Sequence, residues 1–559
     1  MNSSRHSLQI HPDQPGAESV NEKKPVQDEG KVQEEEPEAF RHTWRVWCIF
    51  SVLWLLSFIS AVDATIVTTS LPTIVRDIGG AEEYIWIANS FMFASTIPQP
   101  LFGQISNIFG RRNPMLVAIA LLALGSGVAS GSNSVTMLIA GRTIQGLGTG
   151  GLYVLSDVII CDIVPPRHRA PYLSAVLSAA VIGTTLGPII GGALAEVEWR
   201  WIFRLNLPVS GISFIGIILL LNVKYKRSPT WKHTLTRVDF MGTGIFVPSM
   251  ISIFFGVIMG GTHYSWGSYH IVVPLVLGVL GWILFHLHQA SKFCKEPSTP
   301  SRLFKHRNSA AGFIIIFLGA VILQAISYFL PVYFQAVKGT SPLLSGVYFL
   351  PFALAIIPFA GFAGVFISKT GLYMPLHWAG FAMMAVGSGL LSLLDESSSQ
   401  AAWVCYQIIA SGGVGIVLTA TLPSTLGALS EDDVAVATGT FSFIRSFGLV
   451  WGVTIASIVF NGQVASQLGG ISDVHLRELL ADGTAYSYAS GGFISALSAG
   501  SKVEVINLYV EALRVVWLVL AGISCLGFIC VFIEKHVELR KEHSTEFGLV
   551  EKEQASPET

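Results

Sequence analysis

From Trp44 to about Ile533 the chain alternates long apolar runs with short polar loops. A helix rising 1.5 Å per residue needs about 20 apolar residues to cross the roughly 30 Å hydrocarbon core of a bilayer. By that measure the sequence predicts about fourteen spans, near 45–71, 84–106, 114–132, 136–162, 171–195, 201–222, 238–260, 270–290, 309–336, 342–367, 374–394, 402–428, 437–460 and 511–533. The polar residues collect at the ends. Residues 1–43 are Pro-rich and acidic around Glu34, Glu35 and Glu36, which predicts a disordered tail, and they lack the apolar core of a signal peptide. Residues 534–559 read as a second charged, solvated tail.

Composition narrows the class further. Of 559 residues, 51% are hydrophobic and 13% charged, about half the charged share of a soluble domain, so a soluble globular protein is excluded. With 34 basic and 36 acidic residues there is no excess of cations for phosphates, which argues against a nucleic-acid partner. The six cysteines show neither disulfide nor zinc spacing, and no metal or cofactor is expected. About fifteen basic residues fall in loops on the side of the N-terminus, against about six on the other. The positive-inside rule then places both termini in the cytoplasm.

An internal repeat organises the spans. Gly103, Gly110 and Pro114 after span 2 return as Gly364, Gly371 and Pro375 after span 10, and Gly148 and Gly151 return as Gly412 and Gly415. The offsets are 261 and 264 residues. This predicts an N-terminal six-helix bundle at 44–222, an inserted helix pair with basic linkers at 223–308, and a C-terminal six-helix bundle at 309–533 with an outer loop at 461–510. Two parallel six-helix halves are the architecture of alternating-access carriers. The charges are not repeated: Arg111 and Arg112 stand opposite Leu372 and Tyr373, and Arg142 opposite Tyr406. Ion-coupling chemistry is therefore expected in the N-terminal half.

Five motifs follow in order: Val62-Asp63-Ala64-Thr65 leading to Leu71-Pro72, Gly103 to Arg112, Gly141-Arg142 to Gly148, Gly183 through Gly187-Pro188 to Gly191-Gly192, and Trp199-Arg200-Trp201 with Asn206-Leu207-Pro208. In these the chain resembles the major facilitator superfamily, in particular its fourteen-span drug:proton antiporter branch. Tyr328 to Gly339 and Ala437 to Gly448 look most like fungal toxin and multidrug efflux pumps. The resemblance implies an all-α polytopic membrane protein of fourteen helices that exports hydrophobic or amphipathic molecules in exchange for protons. It further implies a transporter and not an enzyme, expected at the plasma membrane with the vacuolar membrane as alternative. An importer of siderophore-type substrates and a transporter-like sensor are the competing readings. One departure is Asn107, where the loop motif usually carries an acid.

Ionisable groups at bilayer depth are functional candidates. Asp63 lies roughly 13 Å, and Arg142 roughly 9 Å, from the outer ends of their spans, so the two share a depth. Arginine keeps its proton; Asp63 is the expected proton carrier, with burial and a neighbouring arginine acting on it in opposite senses. Gly183, Gly187, Gly191 and Gly192 with Pro188 predict a tight sliding contact between the halves. Gly103, Asn107, Gly110, Arg111 and Arg112 are expected to form an inner gate facing Asp157 or Asp162. Trp54, Gln145, Gln324, Tyr328, Gln335 and Arg445 are candidates to line a substrate cavity, Arg445 without an identified partner. His263, His270, His286 and His288 read as interfacial residues. The expected partners are a small-molecule substrate, protons and the lipid bilayer.

Overall fold

The computed structural model describes residues 43–79, 84–222, 234–261, 264–481 and 483–540. Expectations for the N-terminal tail before Thr43, the linker at 223–233, His263 and the chain beyond Arg540 lie outside the described residues. Thirteen of the described helices are long and apolar enough to cross a membrane. One further span is broken into Tyr84–Thr96 and Gln99–Phe109 by a turn at Ile97 and Pro98. Pro98 and Pro100 bring no N–H to the helix ladder, which is why the break falls there.

We number the spans from the N-terminus. The first bundle is span 1 (Trp44–Thr65, continued by Val67–Ile78), span 2 (the broken helix), span 3 (Arg112–Ser130), span 4 (Val135–Ile163), span 5 (Arg169–Val197) and span 6 (Asn206–Leu220). Spans 7 (Phe240–Met259) and 8 (Tyr269–Ala290) are the inserted pair. The second bundle is span 9 (Arg307–Val332), span 10 (Pro342–Thr370), span 11 (Met374–Leu391), span 12 (Gln400–Gly427), span 13 (Val434–Gln467) and span 14 (Ala499–Cys530). The chain is thus an all-α polytopic membrane protein.

Packing repeats between the bundles. Span 1 packs on 5, 2 on 4 and 3 on 4; correspondingly span 9 packs on 13, 10 on 12 and 11 on 12. The bundles meet where span 2 lies on 13 and span 10 on 5. Gly110 and Gly371 both take positive φ, 77° and 75°, a backbone region that glycine enters without a Cβ penalty. That explains why both copies of the loop keep a glycine there. Spans 7 and 8 pack on each other, and span 7 reaches span 13 through Phe246 on Phe443 and Phe254 on Phe447.

Two sequence expectations need correction. Span 14 begins at Ala499, not near 511, because its first turns are polar and escape a hydropathy criterion. The outer segment before it is structured, with short helices at Val474–Leu480 and Gly491–Ala496. The chain after Ile533 is not a solvated tail as far as Arg540: Glu534 and Leu539 are buried. Asn308 and Tyr373 both donate to the Lys535 carbonyl, at 2.6 and 2.8 Å. The Arg540 carbonyl accepts from the Arg167 N–H at 3.2 Å. An alternation of charges with Val537 and Leu539 was the only hint of this docking, and charge count outweighed it.

Candidate functional site: a chamber between the bundles and a buried acid behind its wall

A chamber of about 2300 Å³ lies between the bundles, lined by residues of spans 1, 2, 4, 5, 7, 9, 10, 12 and 13. On the side away from the basic loops its lining reaches Thr69, Glu196, Pro342 and Tyr486 and, in the turn between spans 7 and 8, Trp266. On the opposite, basic face the bundles are closed. Asn107 donates to the Asp432 carbonyl at 3.2 Å, Arg169 pairs with Glu431 at 3.2 Å, and Arg167 donates to Ser368 and Lys369 carbonyls at 3.2 and 2.7 Å. Gly103 and Gly439 bring spans 2 and 13 into backbone contact; a methyl on Gly103 would sit 2.7 Å from the Ala435 carbonyl oxygen.

Arg111 is buried and pairs with Asp162 at 2.6 Å, while its Nη1 donates to the Ser106 carbonyl and to Asn107 Oδ1 at 2.7 and 2.9 Å. Asn107 therefore replaces the missing acid as an acceptor, and the charge partner comes from span 4. The other two gate expectations are corrected. Arg112 reaches away to the Ile218 carbonyl of span 6 at 2.7 Å. Asp157 faces Arg445 of span 13, at 4.0 Å, instead of the loop arginines. The reason is depth: Asp157 lies about 9 Å inside the span whose end carries Asp162.

Behind the chamber wall, Asp63 is fully buried in the first bundle. Arg142 Nη1 lies 3.3 Å from its Oδ2; Gln145 and Asn206 donate to its Oδ1 at 3.2 and 2.9 Å. Ser126 accepts from both amides, at 2.8 and 3.1 Å. The Arg142 guanidinium also sits 4.0 Å from the centroid of Phe91, whose side chain lines the chamber. Asn206 and Ser126 were missed as members of this cluster. An amide opening the apolar run of span 6 was the available signal, read only as part of a motif.

The glycines of span 5 act within one bundle, which corrects their assignment to a contact between the halves. A methyl on Gly183, Gly187 or Gly191 would collide with the Phe58 carbonyl, Thr65 Oγ1 and the Ile66 carbonyl of span 1 and its continuation. Gly192 meets nothing and faces the chamber. Pro188 withholds the N–H that the Thr184 carbonyl would receive, and Thr65 Oγ1 stands 3.3 Å from that carbonyl, placed to donate. Thr69 Oγ1 donates to the Pro188 carbonyl at 2.9 Å.

Of the cavity candidates, Gln324, Tyr328 and Arg445 line the chamber. Trp54 does not: it is exposed on the outer face of span 1, stacked on Phe58 at 5.8 Å. Gln145 belongs to the Asp63 cluster, and Gln335 bonds Ser345 Oγ at 3.4 Å beyond the lining. The inserted pair holds a group that spacing did not reveal. Asp239 accepts from Gly242 N–H at 2.8 Å and faces His288 at 3.0 Å, Gln289 at 2.5 Å and Cys294 at 3.4 Å. Asp239, His288 and Cys294 offer ligand atoms within 4.8 Å of one another. Burial opposes the charge on Asp239, but the donors around it outweigh burial and hold its carboxyl below the usual range.

Comparison with known proteins agrees with this architecture. Residues 53–453 match the profile of the Major Facilitator Superfamily. The chain is 46% identical over 507 residues to the MFS efflux transporter aclA of Aspergillus oryzae, covering 90% of this chain and 92% of that one. It is 40% identical to the MFS-type efflux pump LUC4 of a Fusarium species (93% of each chain), and 40% identical to the efflux pump FUS6 of Gibberella fujikuroi (95% and 97%). Among solved structures, the human organic anion transporter MFSD10 superposes with TM-score 0.56 at 16% identity, covering 87% of this chain and 99% of that one. The proton:xylose symporter XylE gives 0.55 at 14% identity, covering 87% and 94%.

Proposed function

We propose that this chain, which belongs to the major facilitator superfamily and is a multi-pass membrane transporter of small molecules, exports hydrophobic and amphipathic compounds in exchange for protons. The bias of basic residues supports reading the closed face as cytoplasmic, with both termini on that side. The chamber then opens outward. Its lining is mainly apolar, with Phe91, Phe329, Phe349 and Leu422 among its walls, which suits cargo with a large apolar body.

The observation that carries the exchange is Asp63. It is a carboxylate at bilayer depth, fully buried, one side chain behind a chamber open to the outside. Arg142, Gln145 and Asn206 offer donors to its ionised form while burial opposes the charge, so the two states of the carboxyl are set against each other at this site. A proton arriving from the chamber removes the charge, weakens the pull of Arg142, and releases spans 1 and 4 from their fixed spacing. Spans 1 and 5 share the glycine contact, so the first bundle moves as a body. Repacking at the basic face, where Arg169–Glu431 and Asn107–Asp432 open, then exposes the chamber to the cytoplasm for cargo.

Asp63→Asn keeps the size of the side chain and one acceptor oxygen for Gln145 and Asn206, but it loses the acceptor facing Arg142 and carries no titrating proton. In sealed proteoliposomes it is expected to abolish transport driven by a pH gradient in protein that still folds, with a lowered melting temperature because Arg142 loses its buried anion. Gradient-driven transport persisting at the wild-type rate in this variant contradicts the assignment.

A further inference from the structure

Arg445 stands apart from every other cation in the chamber region. It lies roughly 16 Å into span 13 by helical rise and is the one basic side chain among the described residues that line the chamber. Its nearest acid is Asp157 of span 4 at 4.0 Å, beyond hydrogen-bonding distance, and its side chain is 27% exposed to the cavity. Among the described residues the guanidinium donates no hydrogen bond, whereas Arg142 at comparable depth pairs with Asp63 at 3.3 Å and donates through Nη1 to Asp63 and Gln145. Beside it, Gln99 and Ser446 join the two bundles at 3.2 Å and form a polar floor. A charged group this deep is costly unless partnered, and the planar fork of an arginine is matched by a carboxylate, which takes two parallel N–H donors.

We propose that Arg445 is the recognition residue for an acidic headgroup, so that the cargo of this pump includes amphipathic carboxylates whose apolar body fills the chamber above it. The proposal rests on the export reading and adds the cargo class to it. Asp157 is the built-in competitor. When cargo leaves outward, Asp157 is the acid that remains near Arg445, and the two face each other across the seam between bundles. When the basic face opens, spans 4 and 13 part there and Arg445 is freed for the next anion. A neutral cargo meets the same apolar walls without this contact.

The test uses the full chain in proteoliposomes and nanodiscs with two probes, pyrenebutyrate and its neutral N-methylamide. Wild-type protein is expected to prefer the carboxylate, and Arg445→Gln to lower the carboxylate-to-amide ratio by about tenfold or more, the loss expected for hydrogen bonds to a charged group. Asp157→Asn is expected to move the other way, tightening pyrenebutyrate binding several-fold, because the competing acid is neutralised. A purely structural Arg445–Asp157 pair predicts the opposite sign for Asp157→Asn, a loss in both variants. If the wild type moves the amide but shows no preference for the carboxylate, or if the ratio is unchanged in Arg445→Gln, the anion site is overturned while export stands. If the wild type moves neither probe under a pH gradient, the export reading itself fails, and with it this proposal.

Discussion

The two bundles share their packing and differ in their charge. Gly183 and Gly187 of span 5 face carbonyl and hydroxyl groups of span 1 where a Cβ would collide, and Gly448 and Gly452 of span 13 face the Phe317 and Val321 carbonyls of span 9 in the same way. Gly110 and Gly371 both take a positive φ in the equivalent loops. Yet the position of Asp63 corresponds, by the 261-residue offset, to Gln324, and that of Arg142, by the 264-residue offset, to Tyr406. The second bundle keeps its buried ionisable pair elsewhere, where His377 Nδ1 and Glu534 Oε2 meet at 2.8 Å beside the basic face. Close helix approach is needed by both halves of a rocking carrier, whereas an ion-coupling site is needed once. Backbone spacing therefore stays duplicated while the charges diverge.

Substitutions at equivalent positions sharpen this difference. The largest contrast is expected between Arg142→Gln and Tyr406→Phe. The first leaves the Asp63 carboxylate buried without its cation, a change costing about 3–5 kcal/mol for a broken buried pair. The second removes one hydroxyl from a half-buried ring and is expected to cost under about 1 kcal/mol. Denaturation in detergent reads both, and comparable losses erase the asymmetry. The glycines test the shared side. Gly187→Leu and Gly452→Leu are both expected to destabilise by at least about 1–3 kcal/mol through overpacking, with melting temperatures lowered together. A large loss at one and none at the other breaks the equivalence of spans 1 and 5 with 9 and 13.

A smaller effect is expected at the basic face. A stop after Ile533 removes Glu534, Leu539 and the Arg540 carbonyl, and with them the backbone link to Arg167 of the first bundle. Labelling of Ser368→Cys is then expected to rise several-fold over the full-length chain, as roughly 1–2 kcal/mol of closing interactions is lost. Unchanged labelling places the seal wholly in Arg167, Arg169 and Asn107. The smallest contrast separates neighbours. Arg112→Gln is expected to shift stability by about 0.5 kcal/mol or less, while Arg111→Gln leaves Asp162 buried without its cation and costs several times more.

The fold was largely legible in the sequence because bilayer thickness fixes helix length, and apolar runs record it directly. Span 2 and span 14 depart from that record where proline breaks a helix and where polar turns extend one. Within the site, equal depth brought Asp63 and Arg142 together on paper, since distance along a helix is arithmetic. What spacing does not encode is the rotation of each helix about its axis. That is why Trp54 was placed in the cavity and faces outward, and why the span 5 glycines were assigned to the seam and pack on span 1. Asp157 and Arg445 needed the relative placement of two bundles, which no local pattern carries.

The central claim is that Asp63 exchanges a proton for cargo. Simultaneous recording of cargo movement and internal pH in sealed proteoliposomes, with an imposed gradient and after its collapse by a protonophore, tests it most directly. Cargo accumulating uphill while protons flow the opposite way, with accumulation abolished on collapse, is the predicted result. Cargo moving at the same rate and to the same extent with and without the gradient, and no proton counterflow, contradicts it.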